Sequence, residues 1–262
     1  MLRPRIIPAL LIQKGSLVKT VRFGAPKYVG DPINAVRIFN EKEVDEIIVV
    51  DIDATTQNRE PNYALIKNLA AECRMPLCYG GGVKTVEQFQ RLVTLGVEKV
   101  AVSSAALENP QLIHDAAIRV GSQSVVVVMD VRRVANAYVL CSHNATKTSR
   151  STPTEIARQA ESLGAGEIVI NNVDRDGTMT GYDRGLISAV RDVTTLPMTA
   201  LGGAGSLADI AALVKQFGII GAAAGSLFVF KGVYRAVLIT YPSRSEKDAL
   251  FAEAATKTRS TL

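Results

Sequence analysis

Short runs rich in β-branched residues alternate with helix-length segments along the whole chain, and the alternation repeats eight times. Strands joined by helical crossovers lie parallel in one sheet, because a parallel neighbour is reached only through a long return connection. The runs are Arg5 to Ile12, Glu46 to Asp51, Leu77 to Gly80, Lys99 to Val102, Ser124 to Asp130, Glu167 to Asn171, Met198 to Leu201 and Ile219 to Ala223. Eight such units in 262 residues predict an α/β fold, a single (β/α)8 TIM barrel. One domain is expected over residues 1–262, with 243–262 as a C-terminal helix and tail to which no chemistry is assigned.

The two halves of the chain resemble each other. Ile48 to Ala54 lines up with Val169 to Arg175, Gly81-Gly82 with Gly202-Gly203, and Ser103-Ser104 with Ala224-Gly225. The offset is about 121 residues each time, which is half a barrel and points to a duplicated four-unit block. Helix starts are marked by cap chemistry at Asp31-Pro32, Asn109-Pro110 and Thr152-Pro153, and by capping boxes pairing Thr152 with Glu155 and Thr85 with Gln88. The polar segment Val134 to Arg150 is expected to form a hairpin-like excursion after the fifth strand.

Composition narrows the partners. Apolar residues make up 47% and charged residues 21%, the balance of an ordinary globular protein. The net charge of +5 is spread among interspersed acids with no aromatic-rich basic stretch, so it suits phosphorylated small molecules better than nucleic acid. Cys73, Cys78 and Cys141, with His114 and His143, make neither a disulfide framework nor a zinc pattern, so no metal and no cofactor are expected. The start, Met1 to Ile12, reads as a strand rather than a signal peptide, and Gly218 to Phe230 is too short and glycine-rich to span a bilayer. A cytoplasmic protein without a membrane association is expected.

In such barrels the loops after the strands build the active site, because all eight strand ends converge on one face. Gly81, Gly82, Ser103, Ser104, Gly177, Gly202, Gly203, Gly225 and Ser226 all fall there. Glycines and small hydroxyls let backbone N–H groups approach an anion, although any one loop could be only a tight turn. Recurrence in both halves favours two phosphate sites, hence a long ligand phosphorylated at each end. Between them lie Asp51, Asp53, Asp130, Asp174 and Asp176. A carboxylate at a buried strand end is costly unless paired or used; Asp130 and Asp176 are the catalytic candidates, and Asp51 and Asp174 are open to a structural role. Lys19 is a candidate for contacting a phosphate or anionic intermediate, with a solvated surface lysine as the alternative.

Arg5-Ile6-Ile7-Pro8, Gly30-Asp31-Pro32, Tyr79-Gly80-Gly81-Gly82, Glu108-Asn109-Pro110, Asp174-Arg175-Asp176-Gly177-Thr178 and Gly181-Tyr182-Asp183 together resemble the cyclase subunit of imidazole glycerol phosphate synthase, HisF. The resemblance implies a barrel that takes ammonia from a HisH-like glutaminase subunit and closes an imidazole ring on a bisphosphorylated ribulosyl precursor, with two carboxylates as acid and base. One of them matches Asp130; at the position of the other, ending strand one, stands Leu11. Ser103 replaces the family's asparagine, Asn171 its threonine and Leu201 its serine. The ring of four charges that gates ammonia at the barrel bottom matches Arg5, Glu46, Lys99 and Glu167, all present, though such residues could equally be ordinary barrel-bottom salt bridges.

Lys19-Thr20-Val21, Val29 to Ala35, Met75 to Tyr79 and Phe228 to Gly232 are further similar to a paralogous, WbuZ-like branch associated with glycosyl amidation in surface-polysaccharide clusters. The resemblance therefore implies, first, a barrel that passes ammonia to a separate sugar amidotransferase. The alternatives are a true cyclase in histidine synthesis and a non-catalytic phosphate-binding scaffold.

Overall fold

The computed structural model describes residues 3–256. The chain runs β1 (Arg5–Gln13), β2 (Ser16–Lys19), β3 (Lys27–Gly30), α1 (Pro32–Glu41), β4 (Ile47–Asp51), α2 (Tyr63–Glu72), β5 (Leu77–Gly80), α3 (Val86–Thr94) and β6 (Lys99–Val102). It continues through α4 (Ser104–Glu108), α5 (Gln111–Val120), β7 (Val125–Val134), β8 (Ala137–Ser142), β9 (Lys147–Thr148), α6 (Pro153–Ser162), β10 (Glu167–Asn172) and α7 (Arg184–Arg191). The last part holds β11 (Met198–Leu201), α8 (Leu207–Phe217), β12 (Gly221–Ala224), α9 (Ser226–Val229), β13 (Phe230–Lys231), β14 (Ala236–Val237) and α10 (Arg244–Thr256).

The sheet closes into a barrel. The strands β1, β4, β5, β6, β7, β10, β11 and β12 pair in that order, all parallel, and β12 returns to β1. The expected (β/α)8 barrel is therefore the fold. Ile7, Ala9, Ile48, Cys78, Ala101, Val126, Val169 and Ala223 form one buried cluster inside it. A second, larger cluster lies between the sheet and the helices. Helix α1 shows how that outer layer is held: Ala35, Val36 and Phe39 recur at helical spacing and are buried, and a side chain such as Phe39 contributes roughly 1.5–3 kcal/mol on burial.

Cap chemistry places the helices where the sequence predicts, with one exception. Asp31 accepts from the Asn34 amide, and Thr85 and Thr152 make full capping boxes with Gln88 and Glu155. Asn109 does not cap; it ends α4, and α5 starts behind Pro110 without a side-chain cap. Proline there satisfies the helix start by lacking a donor, so no side-chain acceptor is needed. Strand bounds shift slightly. Glu46 and Ser124 precede their strands, and the eighth strand is Gly221–Ala224, because Ile219 lies exposed before the chain turns inward.

Two excursions rise from the mouth. After β1 the chain folds back as β2 and β3, antiparallel to it. After β7, β8 and β9 make the expected hairpin excursion over 134–150. At the C-terminal end Leu250 of α10 is buried, and Lys247 holds Asp45 at 2.7 Å. The remainder of the expected tail, 257–262, lies outside the described residues.

The half-barrel repeat is visible as matched turns. Asp51 Oδ1 accepts from the Ala54 amide at 3.1 Å, and Asn172 Oδ1 from the Arg175 amide at 3.1 Å, one half-barrel apart. Each turn leaves no room for a Cβ on the facing glycine: Gly81 lies against the Asp51 backbone, Gly202 against that of Asn172, both at positive φ.

Candidate active site

The strand starts carry the four charged residues as a closed ring at the barrel bottom. Arg5 bonds Glu46 and reaches Glu167 at 2.7 Å; Lys99 bridges Glu46 and Glu167 at 2.8 Å each. Thr199, a residue that sequence reasoning passed over, braces the ring from outside by donating to Glu167 at 2.6 Å. Both glutamates are nearly inaccessible, at 3% and 5% exposure. Burial opposes every one of these charges. The neighbouring glutamates nonetheless hold Arg5 and Lys99 above their ordinary values, and Lys99 with Arg5 holds Glu167 below its own. Alternating signs compensate the desolvation that an unpaired buried charge could not survive.

Directly above the ring the barrel interior is apolar. On β10 the inward face reads Glu167, Val169, Asn171, and on β7 it reads Val126, Val128, Asp130, since side chains alternate across a strand. Four residues of strand separate the ring from the mouth, about 13 Å.

At the top a cavity is lined by Leu11, Lys19, Asp51, Gly81, Gly82, Ser103, Ser104, Asp130, Asn171, Asp176, Leu201 and Gly225, among others. Asp130 accepts from Asn171 Nδ2 at 2.8 Å and from Ser103 Oγ at 3.1 Å. Burial raises its carboxyl to about 6, against those two donors, and the nearby Asp176 charge adds to the rise. A carboxyl that titrates there can give or take a proton near neutrality.

The β2 strand delivers Lys19 and Thr20 to the other side of the mouth. Lys19 is buried, which removes the surface-lysine alternative; its ammonium donates to the Ala9 carbonyl and lies against Gly225. Burial lowers it to about 8, and Asp176 partly restores it. Asp176 accepts from Thr20 Oγ1 at 3.1 Å and is raised by its own burial. Leu11 lines the same cavity and brings no proton-transferring group to it.

The glycine loops divide. Gly81, Gly82, Ser103 and Ser104 share the cavity with Gly225. Gly177, Gly202, Gly203 and Ser226 lie outside the lining of that cavity: Gly177 packs on Thr20, Gly203 on Gly181, and Ser226 opens the short helix α9. Two of the remaining aspartates hold backbone. Asp51 accepts from the amides of Asp53 and Ala54, Asp174 from that of Arg133. Asp53 accepts from Gln13. His143 and Asn144 also line the cavity; Asn144 donates to the Ile52 carbonyl at 2.8 Å and ties the β8–β9 turn across to β4. Nothing in their local sequence marks them, because the excursion reaches the mouth only once the barrel has closed. Among the described residues no cluster of His, Cys, Asp and Glu is placed to hold a metal ion, and no helix is long and apolar enough to cross a membrane.

Comparison with known proteins places this architecture. A family profile described as "Histidine biosynthesis protein" matches residues 5–235. The chain is 54% identical over 253 residues to a protein of Leptospira borgpetersenii named putative imidazole glycerol phosphate synthase subunit HisF, covering 96% of this chain and all of the relative. It is 55% identical over 249 residues to the putative subunit hisF3 of Vibrio vulnificus, covering 94% and 96%. Against the imidazole glycerol phosphate synthase subunit HisF of Hyphomonas neptunium it is 40% identical over 230 residues, covering 88% and 91%.

Proposed function

The chain belongs to the histidine biosynthesis protein family, in its HisF group, and on that premise we propose that it is the ammonia-accepting subunit of a glutamine-dependent pair. A HisH-like glutaminase sits at the barrel bottom in this reading. Ammonia passes the ring of Arg5, Glu46, Lys99 and Glu167, crosses the apolar interior and reacts at the mouth beside Asp130. The observation that carries the reading is the vertical order up the barrel, completed across the neighbouring strands β10 and β7: charged ring, apolar lumen, titratable carboxyl.

At the mouth the acceptor is a bisphosphorylated ribulosyl precursor, and the reaction is imidazole ring closure with cleavage. One phosphate is held at Gly81, Gly82, Ser103 and Ser104. The other is held at Gly177, Gly202, Gly203, Gly225 and Ser226, with Lys19 swinging toward it from Ala9. Asp130 is the acid–base residue, and Asp176, paired through Thr20 and Lys19, assists. The three relatives named above all carry the synthase name, which supports this acceptor over a sugar.

A second reading has its own observation. Leu11 in the mouth leaves Asp130 without the opposing carboxylate that the family resemblance implies. General acid–base help is worth about 10² to 10⁴ in rate, so a barrel without it would pass ammonia on, to a separate sugar amidotransferase of the glycosyl-amidation type. One assay separates the two. The purified chain is given ammonium and the bisphosphorylated precursor, alone and as Leu11→Asp. Turnover by the wild-type chain supports the synthase reading. Silence in the wild-type chain with activity gained in Leu11→Asp removes it in favour of onward transfer.

A further inference from the structure

Asn171 carries an oxygen that the protein itself does not use. Its Nδ2 donates to Asp130 at 2.8 Å, and since a carboxylate only accepts, this bond fixes the amide with Oδ1 turned the other way. That Oδ1 is buried with no hydrogen-bond partner among the described residues, on a side chain only 5% exposed. An unmet buried acceptor costs about 1–3 kcal/mol, and such a cost persists where a ligand repays it. Asn171 is part of the lining of the mouth cavity, with Leu201 beside it in register and Val169 beneath it on the inward face of β10. Gly202 flanks the oxygen closely: a Cβ there would stand 3.0 Å from Oδ1, so a larger residue would crowd it.

We propose that Asn171 Oδ1 is the docking acceptor for ammonia as it leaves the barrel interior. The inference rests on the ammonia-subunit reading and adds the binding residue to it. Ammonia is a small neutral donor, and this amide oxygen is an unpaired acceptor on the residue that follows Val169 on the inward face of β10. One N–H of ammonia is donated to Oδ1, and the nitrogen lone pair stays free to attack an electrophile in the cavity. The same amide, through Nδ2, keeps Asp130 within reach of the nitrogen. A neutral acceptor between Val169 and Leu201 suits neutral ammonia, because no charge has to be stripped of water at that point.

Two measurements test it. Asn171→Leu keeps the branched shape and the number of side-chain heavy atoms and removes the acceptor. With ammonium and precursor as substrates, KM for ammonia is expected to rise about tenfold, the worth of one hydrogen bond, with KM for the precursor unchanged. A variant in which only kcat and its pH profile move, with KM for ammonia unaltered, would show that Asn171 merely orients Asp130 and would overturn the proposal. Asn171→Thr, which keeps a hydroxyl, is expected to lie between the two. The second measurement needs no turnover. The side-chain amide resonance of Asn171, identified by its loss in Asn171→Leu, is followed while ammonium chloride is added to the full chain at alkaline pH. A saturable shift absent with potassium chloride is expected even if the wild-type chain proves silent as a cyclase. A flat titration refutes ammonia docking whatever the fate of the synthase reading.

Discussion

Lys99→Met should unfold the barrel bottom at a cost that can be worked out from the ring. Lys99 places its ammonium 2.8–2.9 Å from three carboxylate oxygens of Glu46 and Glu167, and its removal leaves two buried carboxylates facing Arg5 alone. Breaking a buried pair from one side costs about 3–5 kcal/mol. Lys99 is itself 18% exposed, so some water screens the loss and the lower figure, about 3 kcal/mol, is expected. At about 2–4 °C per kcal/mol for a chain of this size, Tm should fall by roughly 6–12 °C.

The effect has a sign in pH. Burial opposes ionisation of Glu167, but Lys99 and Arg5 outweigh it and hold the group below its ordinary 4.5. Its stabilising contribution is therefore present above that value and lost as pH falls through the lowered folded one, so the gap between variant and wild type should close in acid. Lys99→Met combined with Glu167→Gln restores charge balance and should cost less than the sum of the single changes. Thermal and urea unfolding followed by circular dichroism read both. A Lys99→Met chain within about 0.5 kcal/mol of wild type, or an additive double variant, would refute the coupling of the ring.

Three further outcomes follow from the geometry. Asp130→Asn should lower turnover by about 10² to 10⁴ while raising stability at neutral pH by roughly 1–3 kcal/mol, because an aspartate whose folded value is raised to about 6 costs stability that grows as pH climbs from 3.8 and is complete above about 6; the gain should vanish below pH 3.8, where both states are protonated. Gly81→Ala should cost about 2 kcal/mol or more and weaken phosphate binding measured by calorimetry, since φ is +112° and a Cβ would meet the Asp51 backbone. Lys247→Met should cost about 3 kcal/mol in urea unfolding, because Asp45, itself bonded to the Ile6 amide, would lose its buried partner.

The barrel was legible because its strands are short, buried and β-branched, and because caps such as Thr152 with Glu155 act through neighbours in sequence. The half-barrel repeat was legible for the same reason: the Asp51 and Asn172 turns are local. What stayed hidden depends on contacts between distant segments. The β2–β3 hairpin has no turn signature strong enough to announce it, yet it is what carries Lys19 and Thr20 to Asp176, 156 residues away for the threonine. Asn171 was visible only as a departure from the family pattern; its split amide, one end on Asp130 and the other unpaired, exists only when β7 and β10 lie side by side. The C-terminal segment showed no chemistry in sequence; its buried Lys247, and the half-buried Tyr241 just before it, meet Asp45 and Ile6 only after the barrel has brought the two ends together.

The route of ammonia through the ring is tested most directly with the glutaminase complex. Glutamine carrying heavy nitrogen in its side-chain amide is supplied against a large excess of ordinary ammonium in the medium, and the label in the product is measured. Undiluted heavy nitrogen, becoming diluted in Lys99→Met, is the outcome expected of a closed internal passage. Label diluted to the level of the medium in the wild-type complex would contradict it.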